Sequence, residues 1–218
     1  MALSISPTWR TSQQASGDPF GVARLERFYA WHARIYDWTR PLILFGRIPL
    51  LDGLEIRVGD RVLDIGCGTG WALPRLARRG AHVVGVECAR AMLARARQRA
   101  VRLRDAGRQV TFDERPYGSH DAYRGAADAI VFSYSLSMMP PFEAVLASAR
   151  SDLRRGGSIA VVDFLEAANA MVGRWLSANH VALGDARLRR LMDLFPQHGV
   201  SVRRAPLWTY YLFWGTAD

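Results

Sequence analysis

The residues best suited to chemistry sit in one short run, Val62-Leu63-Asp64-Ile65-Gly66-Cys67-Gly68-Thr69-Gly70. An apolar strand there runs straight into a loop with glycine at every second position. Glycine lets the backbone turn sharply and approach a ligand where a Cβ would clash. A second carboxylate, Glu87, closes the next apolar run, Val83-Val84-Gly85-Val86, 21 residues after Gly66. An acid at the end of a second strand can accept hydrogen bonds from both hydroxyls of a ribose.

Spacing and charge narrow the ligand. A dinucleotide loop reads G-x-G-x-x-G and opens a helix N-terminus onto a pyrophosphate. Here the spacing is G-x-G-x-G, and bulky Trp71 comes next. Asp64, two residues before the first glycine, would repel a phosphate but favour an ammonium or sulfonium. Those properties fit S-adenosylmethionine, whose charged arm is an amino acid. The plain alternative is a structural glycine turn in some other α/β protein. Strand, glycines, the spaced Glu87 and the alternation that follows weigh against it together.

The elements that must hold these groups can be read along the chain. Arg61 to Ile65, Ala81 to Val86, Gln109 to Asp113, Ala129 to Tyr134 and Ser158 to Phe164 read as strands. Ala72 to Arg79, Arg90 to Ala106 and Phe142 to Arg154 read as helices closed by Gly80, Gly107 and Gly156–Gly157. A helix at Asp185 to Phe195 precedes two closing strands, Val200 to Ala205 and Leu207 to Trp214, around Pro206. The alternation predicts an α/β fold, a mainly parallel sheet with helices on both faces. Residues 1–20 read as a mobile tail, and 21–218 as a single domain that begins with a helix over 22–45.

Composition sets the outer bounds. The chain has 218 residues, half of them hydrophobic, and suits one soluble domain. All 29 basic residues are arginine, which excludes Schiff-base chemistry and a P-loop lysine. Two cysteines, Cys67 and Cys88, cannot build a disulfide framework or a multi-cysteine zinc site, so no metal is expected. No signal peptide or membrane span is legible, which points to the cytoplasm.

With these motifs in view, the sequence resembles the class I S-adenosylmethionine-dependent methyltransferases from about residue 25 to 214. The resemblance implies a Rossmann-like, seven-stranded sheet whose last strand is reversed. It also implies roles residue by residue. Asp64, Gly66, Cys67, Gly68 and Gly70 would line the methionine arm, and Glu87 the ribose. Cys88 and Met92 would lie near the adenine face, with Asp113 or Glu114 reaching its amino group. Ser133 and Tyr134 would border the donor sulfur.

Two further segments look like the diacylglyceryl-homoserine N-methyltransferases of betaine-lipid synthesis. One is His32-Ala33-Arg34-Ile35-Tyr36-Asp37-Trp38-Thr39-Arg40 with Leu44-Phe45-Gly46-Arg47; the other is Ser133-Tyr134-Ser135-Leu136-Ser137-Met138-Met139-Pro140-Pro141. That branch implies methyl transfer to a lipid head-group amine. Trp71 departs from the smaller or polar residue expected after the glycine loop.

The first of these segments also speaks for itself. Tyr29, His32, Tyr36 and Arg40, spaced by three, four and four, share one helical face. Such a face can lid a cofactor and receive an acidic substrate, with Arg40 on a carboxylate; a half-exposed polar face is the plain alternative. An amine must be neutral when it attacks, and His32 or His180 could take its proton. Tyr36 is the first choice for holding donor and acceptor, while Tyr29, Arg40, Trp71 and Ser135 are placed toward the substrate.

Between Cys88 and Arg108, seven arginines face one acid, Asp105. Arg95, Arg99 and Arg102 would form either a solvated face or a contact with anionic lipid on the inner membrane surface. Nucleic acid is rejected as a partner, because Met139-Pro140-Pro141-Phe142 lacks the polar first residue of base-directed enzymes and comes too late. The alternative chemistry on this fold is aminocarboxypropyl transfer or cyclisation of the same cofactor, releasing methylthioadenosine.

Overall fold

A computed structural model describes residues 44–118 and 123–218. The tail expected over 1–20 lies outside them, as does all but the end of the helix expected over 22–45. At that end the chain is not helical. Phe45 and Gly46 form a turn, with Gly46 at φ 80°, and a separate helix α1 (Arg47–Asp52) begins after it.

The chain then alternates as its apolar runs predict. The order is β1 (Arg61–Ile65), α2 (Leu73–Arg78), β2 (His82–Val86), α3 (Arg90–Asp105), β3 (Val110–Asp113) and β4 (Ala127–Ser133). A 3₁₀ turn (Leu136–Met138) leads to α4 (Phe142–Asp152) and β5 (Leu153–Ala167). The rest is α5 (Ala170–Ala178), α6 (Ala186–Leu194), β6 (His198–Arg204) and β7 (Trp208–Thr216).

Seven strands form one sheet in the order β3-β2-β1-β4-β5-β7-β6. Strands β1 to β5 are parallel, and β7 runs antiparallel to both β5 and β6. This is the mostly parallel sheet with a reversed last strand. Strand order switches direction between β1 and β4, so the loops leaving their C-terminal ends diverge and open a crevice. Both the glycine loop and the segment after Ser133 leave from that edge.

Side chains alternate between two apolar layers. Val62, Ala129, Val131, Ala160 and Val162 face one, while Leu63, Ile65, Ile130, Phe132 and Val161 face the other. By the same alternation Asp64 and Ser133 fall on the side of Val62 and Val131. Asp163 falls on the opposite side, toward α4 and α6.

One boundary differs from expectation. Gly156–Gly157 do not stop a helix, because α4 has already ended at Asp152 and both glycines lie in the first part of β5. The pairing with β4 slips between Ala127 and Ala129. A Cβ on Gly157 would stand 3.1 Å from the carbonyl oxygens of Ala127 and Asp128. The glycines therefore mark a bulge where two backbones approach closely. Among the described residues, no helix is long and apolar enough to cross a membrane.

Candidate cofactor and acceptor site

The glycine loop is built on left-handed backbone. Gly66, Gly68 and Gly70 have φ of 66°, 57° and 77°, values that side-chain-bearing residues avoid. Their reasons differ. A Cβ on Gly66 would lie 2.5 Å from Ser135 Cβ, and one on Gly70 would lie 2.5 Å from Leu73 Cδ1. A Cβ on Gly68 would meet only Met92 Cε, at 3.9 Å. Gly66 and Gly70 are small for packing, whereas Gly68 has no such packing reason and leaves its backbone bare. Cys67 holds the loop by its backbone, its N–H donating to Val86 O and its carbonyl accepting from Gly70 N. Its thiol is buried against Gly85, and burial pushes it well above the ordinary thiol range.

Asp64 is 2% exposed, and its Oδ2 has no hydrogen-bond partner. Burial pushes its carboxyl up to about 7, opposed by the charge of Arg47 and reinforced by Glu87. A buried carboxylate oxygen without a donor is costly, and it suits a site where a cationic ligand supplies one. Arg47, from the start of α1, stands at the same place. Its Nε donates to Ser133 Oγ at 2.9 Å, and its guanidinium carbon lies 4.2 Å from the centre of the Trp71 ring. Sequence reasoning left Arg47 out of the site. The signal available was a lone arginine inside the apolar run from Pro41 to Leu54.

Glu87 faces the loop from the end of β2. Its Oε2 accepts from Gly68 N at 3.0 Å and its Oε1 from Ala89 N at 2.8 Å. Burial raises its carboxyl, while these amides pull it down. Met92 is buried in the first turn of α3 beside Gly68, and Cys88 is half-buried next to Glu87. At the end of β3, Arg115 Nε and Tyr123 Oη both donate to Asp113 Oδ2 at 2.7 Å. Glu114 is turned toward α3, pairing with Arg90 and Arg97 at 3.1 Å each. Of the two candidates for an adenine amino group, Asp113 is thus held in place and Glu114 is engaged by the outer helix.

The segment after β4 leaves the sheet beside the glycine loop, on the side proposed for the acceptor. Tyr134 has φ 57°, a strained value for a tyrosine. Its hydroxyl donates to Phe45 O at 2.7 Å, and its ring packs on Phe164, which in turn meets Trp208. Only its backbone remains to border the crevice. Ser135 Oγ donates to Ile65 O at 2.7 Å, a strut between the ends of β4 and β1. Asp163, fully buried, accepts from Ser137 N at 2.7 Å and Phe164 N at 2.8 Å. Arg187 of α6 donates to the carbonyls of Leu136 and Ala182 at 3.2 Å each. Neither Asp163 nor Arg187 was singled out in the sequence, although both hold the acceptor-side loops. His180 lies at φ 65° in the loop before α6, two residues from Ala182, whose N–H donates to Ser137 O.

Tyr29, His32, Tyr36 and Arg40 lie outside the described residues. On α3, Met92, Ala96, Ala100 and Leu103 are buried as expected. Three of its arginines work locally: Arg90 and Arg97 pair with Glu114, and Arg104 donates to Val110 O at 2.9 Å.

Comparison with known proteins agrees with this architecture. A family described as a methyltransferase domain matches residues 62–157. The chain is 32% identical over 184 residues to a ubiquinone biosynthesis O-methyltransferase of Idiomarina loihiensis, covering 78% of this chain and 70% of the relative. It is 28% identical over 148 residues to a demethylmenaquinone methyltransferase of Tropheryma whipplei, covering 66% of this chain but only 60% of that protein. Among solved structures, a phosphoethanolamine N-methyltransferase 2 of Haemonchus contortus superposes with a TM-score of 0.67 at 15% identity. That match covers 83% of this chain and 53% of the other.

Proposed function

Because the chain belongs to the class I S-adenosylmethionine-dependent methyltransferases, we propose that it moves the methyl group of S-adenosylmethionine onto a small acceptor, an amine on a lipid head group. The observation that carries the cofactor half is the unpartnered buried oxygen of Asp64 beside a bare Gly68 backbone. The residues fit the group. Asp64 offers a carboxylate to its cationic arm, Gly68 gives close approach, and Glu87 stands where a ribose hydroxyl can bind. When bound, the sulfonium supplies an already activated methyl group.

The protein's own part is then mainly placement, which can contribute up to roughly 7–11 kcal/mol in favourable cases. Ser133 and the backbone of Tyr134 border the transfer site. His180 and His32 are the groups proposed to take the amine proton, with Tyr36 orienting donor and acceptor and Tyr29 and Arg40 receiving the acceptor's acidic part. Support for an amine comes from the likeness of two sequence segments to the diacylglyceryl-homoserine enzymes. The exposed Arg102 and Arg108 support a peripheral contact with anionic lipid on the inner membrane face.

A second reading has its own observation. A relative covered over 70% of its length is a ubiquinone biosynthesis O-methyltransferase, which favours a hydroxyl, such as that of a phenol, as acceptor. Mass spectrometry of S-adenosylmethionine incubated with the pure protein separates these readings. S-adenosylhomocysteine formed only with diacylglyceryl-homoserine supports the amine, and formation only with a catechol supports the phenol. Methylthioadenosine would overturn methyl transfer in favour of aminocarboxypropyl transfer or cyclisation.

A further inference from the structure

Trp71 is the residue that fits the glycine loop least well by type, and the structure gives its ring a specific task. It lies 4.2 Å from the guanidinium carbon of Arg47, while Arg47 Nε is tied to Ser133 Oγ at 2.9 Å. Four segments therefore meet at one cluster: α1 through Arg47, the end of β1 through Asp64, the glycine loop through Trp71, and the end of β4 through Ser133. Among the described residues, the cluster sets the Arg47 cation within electrostatic reach of the buried acid Asp64, with Glu87 also in reach of that acid. Opposed charges fixed a short way apart match a zwitterion, whose carboxylate goes to the arginine and whose ammonium goes to the acid.

We infer that Trp71 is a positioning residue: stacked on Arg47, it holds that guanidinium as the anchor for the α-carboxylate of the cofactor's amino-acid arm, opposite Asp64. The inference rests on the cofactor reading above. Arginine loses rotamer freedom when it is fixed on binding. A guanidinium already held by a ring and a hydroxyl has less freedom left to lose. The aromatic face itself contributes about 0.5–2 kcal/mol, rising as water is excluded. A small or polar side chain at position 71 would supply neither effect.

The outer side of Trp71 does not lie in the core. It lines an open groove of about 500 Å³ with Pro74, Arg75 and Arg78. Its inner side packs against one of the two apolar layers, so Trp71→Phe and the thermal melt of each variant separate lost positioning from lost packing.

The test is calorimetric binding of S-adenosylhomocysteine and of its decarboxylated counterpart, which keeps the amine and lacks the carboxylate. Wild-type protein should prefer the carboxylate form by about 10–100-fold, the range of charge-assisted hydrogen bonds. Arg47→Met should erase that preference while leaving the decarboxylated ligand within about twofold. Trp71→Leu should lower the preference by roughly 3–30-fold, and Trp71→Phe should retain most of it. A thermal melt of each variant checks the fold.

Equal weakening of both ligands in Arg47→Met and Trp71→Leu would show a merely structural role and overturn the inference. So would an unchanged preference in either variant. Wild-type protein that binds neither ligand would instead overturn the cofactor reading itself.

Discussion

Glu87 accepts the amide of Gly68 at 3.0 Å with one carboxylate oxygen and the amide of Ala89 at 2.8 Å with the other. One acid therefore fastens the glycine loop to the start of α3, and it is also the residue proposed to bind the ribose. Glu87→Ala removes both acceptors and leaves two part-buried amides, which should cost about 1–3 kcal/mol of stability. Glu87→Gln keeps one acceptor oxygen and should cost less, yet it should still weaken S-adenosylhomocysteine binding at least about tenfold. Urea unfolding and calorimetry on the same preparations separate the two effects. Near-native affinity in Glu87→Gln would remove the ribose role.

Gly68 and Gly70 share a left-handed backbone but should fail differently. A methyl on Gly70 meets Leu73 Cδ1 at 2.5 Å and Ala96 Cβ at 3.1 Å, so Gly70→Ala adds overpacking to backbone strain. A loss of roughly 2–4 kcal/mol is expected in denaturant. A methyl on Gly68 has only Met92 Cε at 3.9 Å, so Gly68→Ala should lose only about 1–2 kcal/mol. Its cofactor affinity should nonetheless fall steeply, because the added carbon stands where the ligand approaches. If Gly68→Ala binds as well as wild type, the bare backbone has no ligand role.

Asp163 gives a prediction on the acceptor side. It accepts the amides of Ser137 at 2.7 Å and Phe164 at 2.8 Å, and burial raises its carboxyl against those bonds. Asp163→Ala would leave two buried donors unpaired and should destabilise by about 2–5 kcal/mol. Asp163→Asn keeps one acceptor and should be milder. If Asp163 orders the loop that follows β4, the milder variant should raise KM for the acceptor more than KM for the cofactor. Equal changes in both would leave Asp163 a core residue only.

The parts of the site readable in the sequence are those carried by local pattern. Asp64, the three glycines and Glu87 follow from strand period and loop spacing, and the structure brings them together: Asp64 lies in β1, the glycines follow that strand, and Glu87 accepts from Gly68 N at the end of β2. Arg47, Asp163 and Arg187 were not readable, because their partners are distant in the chain: Arg47 meets Ser133, and Arg187 meets Leu136. Ser135 looked like a substrate contact, but its hydroxyl is bound to Ile65 O. Nothing short of the fold reveals that strut. Gly156–Gly157 misled for a related reason, since a helix stop and a strand bulge use the same residue.

Asp64 makes the site sensitive to pH. Burial holds its carboxyl at about 7, well above an unfolded aspartate near 4. Between those values the unfolded chain has released its proton and the folded chain has not. Stability should therefore fall as pH rises from about 4 to 7, by at most about 1.4 kcal/mol per unit, and level off above. Asp64→Asn should flatten that profile. Cofactor binding has the opposite slope, since an ammonium beside Asp64 favours its ionised form. Affinity should climb toward pH 7 by up to about tenfold per unit and then plateau, with a proton released on binding below 7. Calorimetry in buffers of different ionisation enthalpy counts that proton directly. Wild-type binding without proton release below pH 7, or the same pH profile in Asp64→Asn, would remove Asp64 as the partner of the cationic arm.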